Sequence, residues 1–307
     1  MAERTLSVSL AAPGDLFEAA VRNGGGTVVP LGPETRMLLW NRGHDAKGLA
    51  AMLPTLPQLE WVQLPSAGID DFAAAGVIDP AYIWTSAKGS YSQPVAEHAL
   101  ALTLALLRQL HLRARATAWG KQVGKMLYGA HVVILGGGGI AQEYMRLCRP
   151  FDVRTTVLRR SGDAVEGADR TLTTDRLDEV LPDADVFLIA APLTDETRGL
   201  VGAKQFALMR QDAVLVNVAR GPIVRTNDLV AALSSGRIAG AALDVTDPEP
   251  LPDGHPLWSE PRALITPHSA DTAEMIMPLL ARRVTENVRC FMAGQPLVGV
   301  VDSAAGY

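Results

Sequence analysis

The sequence predicts an α/β protein of two domains, the larger built on a doubly wound parallel sheet. Three observations lead there. The chain has 307 residues, and at roughly 150 residues per domain that is enough for two. Its middle alternates short, continuously apolar runs with helix-like segments. That is the pattern of strands buried on both faces and joined by crossover helices. One of these runs leads straight into a glycine-rich turn that opens a helix.

Taken in order, TLSVSL, TVVPL, MLLW, EWVQL and YIWTS read as strands of a smaller α/β domain, with DLFEAAVRN and AKGLAAML as helices between them. A long helix, PVAEHALALTLALLRQLHL, starts near Pro94, whose fixed φ suits a first helical turn. Six buried strands follow: HVVIL (131–135), RTTVL (154–158), DVFLIA (185–190), AVLVNV (213–218), AGAALDV (239–245) and ALIT (263–266). IAQEYMRLC, TDRLDEVL, AKQFALM and TNDLVAALSSG are the helices between them. Thr226 is the expected N-cap of the last of these and Gly236 its stop. The final helix, AEMIMPLLARRVTENVRCFMAG, is expected to return to the first domain. The smaller domain is then discontinuous, residues 1–93 with 275–307, and the larger spans 94–274. The helix from Pro94 is expected to bridge the two at a hinge beside a cleft.

Composition narrows the function classes. The chain is 48% hydrophobic with a formal net charge of −5. A mildly acidic surface argues against general nucleic-acid binding. Cys148 and Cys290 have no metal-ligand spacing and no CxxC partner, which points to a reducing compartment and no metal site. The N-terminus lacks the apolar region of a signal peptide, and ALALTLALL (99–107) is too short to cross a bilayer. The expectation is a soluble, cytoplasmic protein with no membrane partner.

VVILGGGGIA places Gly136, Gly138 and Ala141 in a GxGxx(G/A) pattern. Gly136 permits the tight turn, Gly138 lets backbone approach a pyrophosphate, and Ala141 keeps helix and strand close. Gly139 and Ile140, at the helix N-terminus, offer unpaired N–H groups to phosphates. An acid after the second strand would accept hydrogen bonds from the ribose 2′-OH of NAD. This chain has Arg159, Arg160 and Ser161 instead. Arginine cannot accept those bonds but pairs well with a 2′-phosphate. NADP(H) is therefore the favoured cofactor, with NAD(H) as the alternative. A solvated pair of surface arginines is the bland reading of the same residues.

Six ordered motifs, PVAEHAL, GGGGIA, APLTDETRGLVG, LVNVARGPIV, GAALDVTDPEPLP and LITPHSA, make the chain resemble the D-isomer-specific 2-hydroxyacid dehydrogenase family. The resemblance runs from QLPSAGIDDF (63–72) to QPLVGVVD (295–302). It implies a Rossmann nucleotide domain inserted into a flavodoxin-like substrate domain, and a homodimer formed through residues 105–128 with Trp119 as an anchor. It also implies a catalytic set of Arg220, Glu249 and His268. Reduction of a 2-oxo acid needs hydride at C2 and a proton on the alkoxide. His268 can carry that proton, Glu249 can orient the ring and favour its charged form, and Arg220 can bind and polarise the substrate. The family pattern further implies that amides near Ala67 and Gly68 hold the substrate carboxylate. Asp244 would hold the nicotinamide carboxamide, with Pro192, Thr194 and Ala219 lining the cofactor cleft.

Three positions depart from the family pattern: Arg159 replaces an acid, Asp271 a small residue and Thr246 an aromatic. The arginines lean the expectation toward an NADP(H)-linked reductase of glyoxylate or hydroxypyruvate type. A dinucleotide-sensing scaffold resembling the family's co-repressors is the alternative. His98 is expected to pack within the bridging helix. His44, His111, His131 and His255 suggest no role.

Overall fold

The computed structural model describes residues 5–302. The chain divides into two compact units, residues 1–91 with 272–307 and residues 92–271. The divisions precede the expected 93/94 and 274/275 by two and three residues. The helix containing Pro94 begins at Ser92, and Thr272 is the cap of the final helix.

The smaller unit contains β1 (Ser7–Leu10), α1 (Asp15–Asn23), β2 (Thr27–Val28), β3 (Met37–Leu39), α2 (Ala46–Met52), β4 (Trp61–Gln63), α3 (Asp70–Ala74) and β5 (Ile83–Thr85). Its strands are all parallel, in the order β2-β1-β3-β4-β5. This is the flavodoxin-type arrangement. Leu38, Trp40, Leu49, Val62, Phe72 and Trp84 pack as one core cluster. The five-residue α3, DDFAA, was not anticipated: it is too short to show a helical period.

The larger unit opens with α4 (Ser92–Leu107) and α5 (Leu110–Arg113), followed by β6 (His131–Leu135), α6 (Gly139–Cys148), β7 (Arg154–Arg159) and β8 (Arg170–Thr173). Then come α7 (Leu177–Val180), β9 (Val186–Ile189), α8 (Ala203–Leu208), β10 (Val214–Asn217), α9 (Thr226–Ser234), β11 (Gly240–Leu243), α10 (Pro256–Ser259) and β12 (Ala263–Ile265). A last helix, α11 (Ala273–Ala293), belongs to the smaller unit and packs on α1.

Seven parallel strands run β12-β11-β10-β9-β6-β7-β8. Every residue of β6, β9, β10 and β11 is buried, which is why these strands read as unbroken apolar runs. From β6 the chain moves outward to β7 and β8, then returns to the other side of β6 at β9. The C-terminal end of β6 is thus a topological switch point, where open α/β sheets bind their ligands.

Several local expectations need correction. The long helix does not continue to residue 112. It ends at Leu107, and Gln109 takes a left-handed conformation with φ of 53°. Thr226 is not the N-cap of α9 but its first helical residue, and its hydroxyl donates to Asp247 O at 2.6 Å. The sheet also has a seventh strand, β8, a half-exposed edge segment too polar to register as a buried run. Gly236 does stop α9: at φ +68° it closes a Schellman turn, donating to Leu233 O while Arg237 N–H bonds Ala232 O. Among the described residues no helix is long and apolar enough to cross a membrane.

Candidate active site

The glycine turn follows β6 at the switch point. Gly136 has φ of +105°, and a Cβ there would lie 2.5 Å from Ala190 O. Both the conformation and the backbone contact require glycine. A Cβ on Gly137 would strike the Val165 side chain at 2.7 Å, whereas one on Gly138 would meet nothing within 4 Å. Gly138 is the N-cap of α6 and makes no side-chain cap bond. Gly139 and Ile140 follow in the first turn, and Ala141 is fully buried beneath it. The result is an open, backbone-lined cradle at a helix N-terminus, which fits a pyrophosphate.

Arg159 ends β7, and its Cδ lies 3.4 Å from the Cβ position of Gly137. Its aliphatic stem therefore packs on the glycine turn. Arg160 and Ser161 follow, both exposed. On the other side of β6, the loop after β9 folds on Thr197. The Thr197 hydroxyl donates to Pro192 O at 2.8 Å and accepts from Thr194 N–H at 2.8 Å.

Arg220 follows β10. The fully buried Asn217 ties this turn together: its side chain donates to Arg220 O and accepts from Ala219 N–H, each at 3.0 Å. The Arg220 Nη1 bonds Ala219 O at 2.8 Å. A Cβ on the next residue, Gly221, would lie 1.9 Å from Thr246 O. Only glycine allows the Arg220 loop to come this close to the Thr246–Glu249 loop. Thr246 is buried and holds that second loop, donating from its hydroxyl to Pro248 O at 2.9 Å.

Asp244 directly follows β11, at 2% relative exposure. Its Oδ1 accepts from the Thr266 hydroxyl at 2.6 Å and from Ser269 N–H at 2.9 Å; its Oδ2 accepts from Ala270 N–H at 3.2 Å. His98 of α4 lies with Nε2 3.3 Å from the same Oδ1 and 3.0 Å from the Thr266 hydroxyl. Burial pushes the Asp244 carboxyl up, but the bonds from His98, Thr266 and Ser269 outweigh it and leave the group below the usual carboxylate range. The Asp244 carbonyl also accepts the His268 N–H at 2.8 Å. Asp244 therefore anchors the whole loop from Thr266 to Ala270.

That anchoring forces His268 into a left-handed conformation, φ of 50°, uncommon for a residue with a side chain. Its ring then meets Glu249, with Nδ1 2.6 Å from Oε1. The two side chains keep 46% and 40% of their exposure. Such a pair can exchange protons with a ligand while its ring orientation stays set. In the smaller unit, Ala67 and Gly68 form the turn after β4, held by the Ser66 hydroxyl on Gly68 O at 2.6 Å and by Ala87 N–H on Ser66 O.

Residues 100–270 match the family model described as "D-isomer specific 2-hydroxyacid dehydrogenase, NAD binding domain". The chain belongs to that family. It is 32% identical over 277 residues to a glyoxylate/hydroxypyruvate reductase B of Citrobacter koseri, covering 84% of this chain and 85% of that one. It is 31% identical over 256 residues to a glyoxylate reductase of Aeropyrum pernix, covering 80% and 76%. A D-isomer specific 2-hydroxyacid dehydrogenase of Xanthobacter autotrophicus Py2, solved with NADPH and MES, aligns with a TM-score of 0.85 at 28% identity, covering 99% of this chain and 100% of that one. This protein is thus an oxidoreductase acting on CH–OH donors, and its Rossmann unit is of the kind that binds a nicotinamide dinucleotide.

In this dehydrogenase His98 is more than a packing residue of α4. It and Thr266 complete the Asp244 cluster, 168 residues apart in the chain. Three of the other histidines have structural partners. His131 bridges Asp183 O and the Thr156 hydroxyl, His255 accepts from Leu257 N–H at the start of α10, and His44 pairs with Asp71 at 3.0 Å. His111 is buried, and burial pulls its imidazole below its ordinary range. Among the described residues no group of three or more His, Cys, Asp or Glu could hold a metal ion.

Proposed function

We propose that the protein reduces a small 2-oxo acid of the glyoxylate or hydroxypyruvate type, using NADPH, and oxidises the corresponding D-2-hydroxy acid in reverse. The His268–Glu249 pair, at 2.6 Å on the loop anchored by Asp244, carries this proposal. Glu249 engages Nδ1, so Nε2 of His268 passes a proton to the oxygen at C2. Arg220 holds the substrate carboxylate and polarises the carbonyl. On the family pattern the smaller unit is the substrate domain, with the amides of Ala67 and Gly68 as its substrate-binding groups. Bound at the glycine cradle, a nicotinamide dinucleotide supplies the hydride. Asp244 takes its carboxamide, and Pro192, Thr194 and Ala219 line its path.

The preference for NADPH rests on Arg159 packed on Gly137, with Arg160 and Ser161 beside it. A relative solved with NADPH supports it. Initial rates with NADPH and NADH, against glyoxylate, hydroxypyruvate and pyruvate, test both parts. Arg159→Ala is expected to raise KM for NADPH by roughly tenfold or more, the effect of one charge-assisted hydrogen bond, and to spare NADH. Equal loss with both cofactors would discard the arginine assignment.

We further infer a homodimer. In the segment after α4, Trp119 is 94% exposed, and Leu110, Val123, Met126 and Tyr128 of the same segment are exposed as well. Large exposed aromatics of this kind anchor interfaces. Light scattering on the eluted protein should give twice the chain mass, and Trp119→Ala should shift it toward the monomer. Cys148 and Cys290 are both free thiols, in keeping with a cytoplasmic setting.

A further inference from the structure

The loop that carries His268 carries a second carboxyl three residues on. Ser269 and Ala270 donate their N–H groups to Asp244, and the Ala270 side chain is buried. The chain therefore leaves this anchor in a fixed direction, and Asp271 is the next residue. Its side chain is partly buried, and the charges that face it are those of His268, Asp244 and Arg220. Burial raises its pKa more than His268 and Arg220 lower it. Among the described residues its carboxyl makes no hydrogen bond to any other residue. An acceptor this short of partners, beside the acid–base histidine, is poised for a ligand's donor.

We propose that Asp271 selects the C3 substituent of the substrate: a 2-oxo acid with a hydrogen-bond donor on C3 is accepted, and one with a second carboxylate near C3 is refused. This rests on the reductase assignment above. Arg220 draws the substrate's own carboxylate, and the negative charge of Asp271 repels it, so the two residues orient the acid with C3 toward Asp271. C3 lies one bond from the carbon whose oxygen meets His268. A hydroxyl there gives the Asp271 carboxylate a donor. A methyl group covers it from water without giving one, and sites left with an unpaired buried polar group discriminate strongly. A second carboxylate meets like charge, a repulsive element that excludes the wrong substrate.

The test compares kcat/KM with NADPH for hydroxypyruvate, pyruvate and oxaloacetate, in the wild type, Asp271→Ala and Asp271→Asn. In the wild type hydroxypyruvate should exceed pyruvate by about 10- to 100-fold, the range of one hydrogen bond to a charged group. In Asp271→Ala the ratio should fall toward unity, chiefly through a higher KM for hydroxypyruvate. In Asp271→Asn, which keeps the side-chain shape, the rate with oxaloacetate should rise relative to pyruvate. NADPH affinity, read by fluorescence titration, should match the wild type in both variants; should the alanine variant not fold, the asparagine variant carries the same comparison. A wild type that prefers pyruvate, or a ratio that both variants leave intact, overturns the role of Asp271 alone. Absence of turnover with every acid in the wild type overturns the reductase assignment itself.

Discussion

Two histidines of the larger unit face carboxylates in opposite settings. His98 approaches the buried Asp244, at 2% exposure, whose oxygens also take the Thr266 hydroxyl and two backbone N–H groups. His268 meets Glu249 at 2.6 Å in a setting that leaves both side chains nearly half exposed. The residue types match, yet the surroundings separate their roles. A buried carboxylate held by several bonds resists change in charge and holds backbone in place. A water-accessible imidazole with one ring nitrogen engaged can take and give a proton. Position and chemistry are thus divided between two neighbouring pairs, joined through the Asp244 carbonyl on His268 N–H.

The sharpest way to break this comparison is His268→Gln. With the proposed acid–base group lost, kcat should fall by roughly 10²- to 10⁴-fold. The thermal midpoint should hardly move, because the ring is half exposed and a surface change away from packing shifts stability little. A large drop in the midpoint would mean that His268 is a structural residue.

Asp244→Asn should instead lower stability and turnover together. Replacing a charged acceptor by an amide weakens several bonds at once and leaves buried donors short, a cost of about 1–3 kcal/mol. The pH dependence sharpens the point. The Asp244 carboxyl titrates lower in the fold than in the unfolded chain, where it lies near 3.9. Its charge therefore stabilises the fold above about pH 4, and the contribution is lost as pH falls through the folded value. Denaturation midpoints of wild type and Asp244→Asn should differ at neutral pH and draw together below about pH 4; a gap that persists in acid would show that charge is not what Asp244 contributes. Thr266→Val is the mildest probe. It removes one donor to Asp244 and should cost about 1 kcal/mol, with a small loss of turnover, unless His98 closes the gap.

Legibility in the sequence followed distance along the chain. Central strands were readable because burial on both faces demands continuous hydrophobicity, and β6, β9, β10 and β11 supply it. The edge strand β8 was not, since three of the four residues of RTLT are polar and one neighbour suffices to hold it. The TDRLDEVL segment reads as one helix but is a single turn, α7, flanked by 3₁₀ turns, with Pro182 in the second. Of the site, the motifs supplied the names Arg220, Glu249 and His268. No pattern pointed from Asp244 to His98, because hydrogen bonds between distant residues leave no periodic trace.

By itself the sequence determined the two α/β units, the glycine turn after β6 and the arginines after β7. These follow from local rules: side-chain period, the φ that only glycine accepts easily, and the charge that sits at a strand end. The tertiary structure alone decided what meets what. Gly221 lets the Arg220 loop touch Thr246 backbone, Asp244 binds His98 and the Thr266 loop, and that loop sets His268 against Glu249 and leaves Asp271 beside it. Those encounters depend on the parallel order of β10, β11 and β12, which brings three separate strand ends to the same end of the sheet.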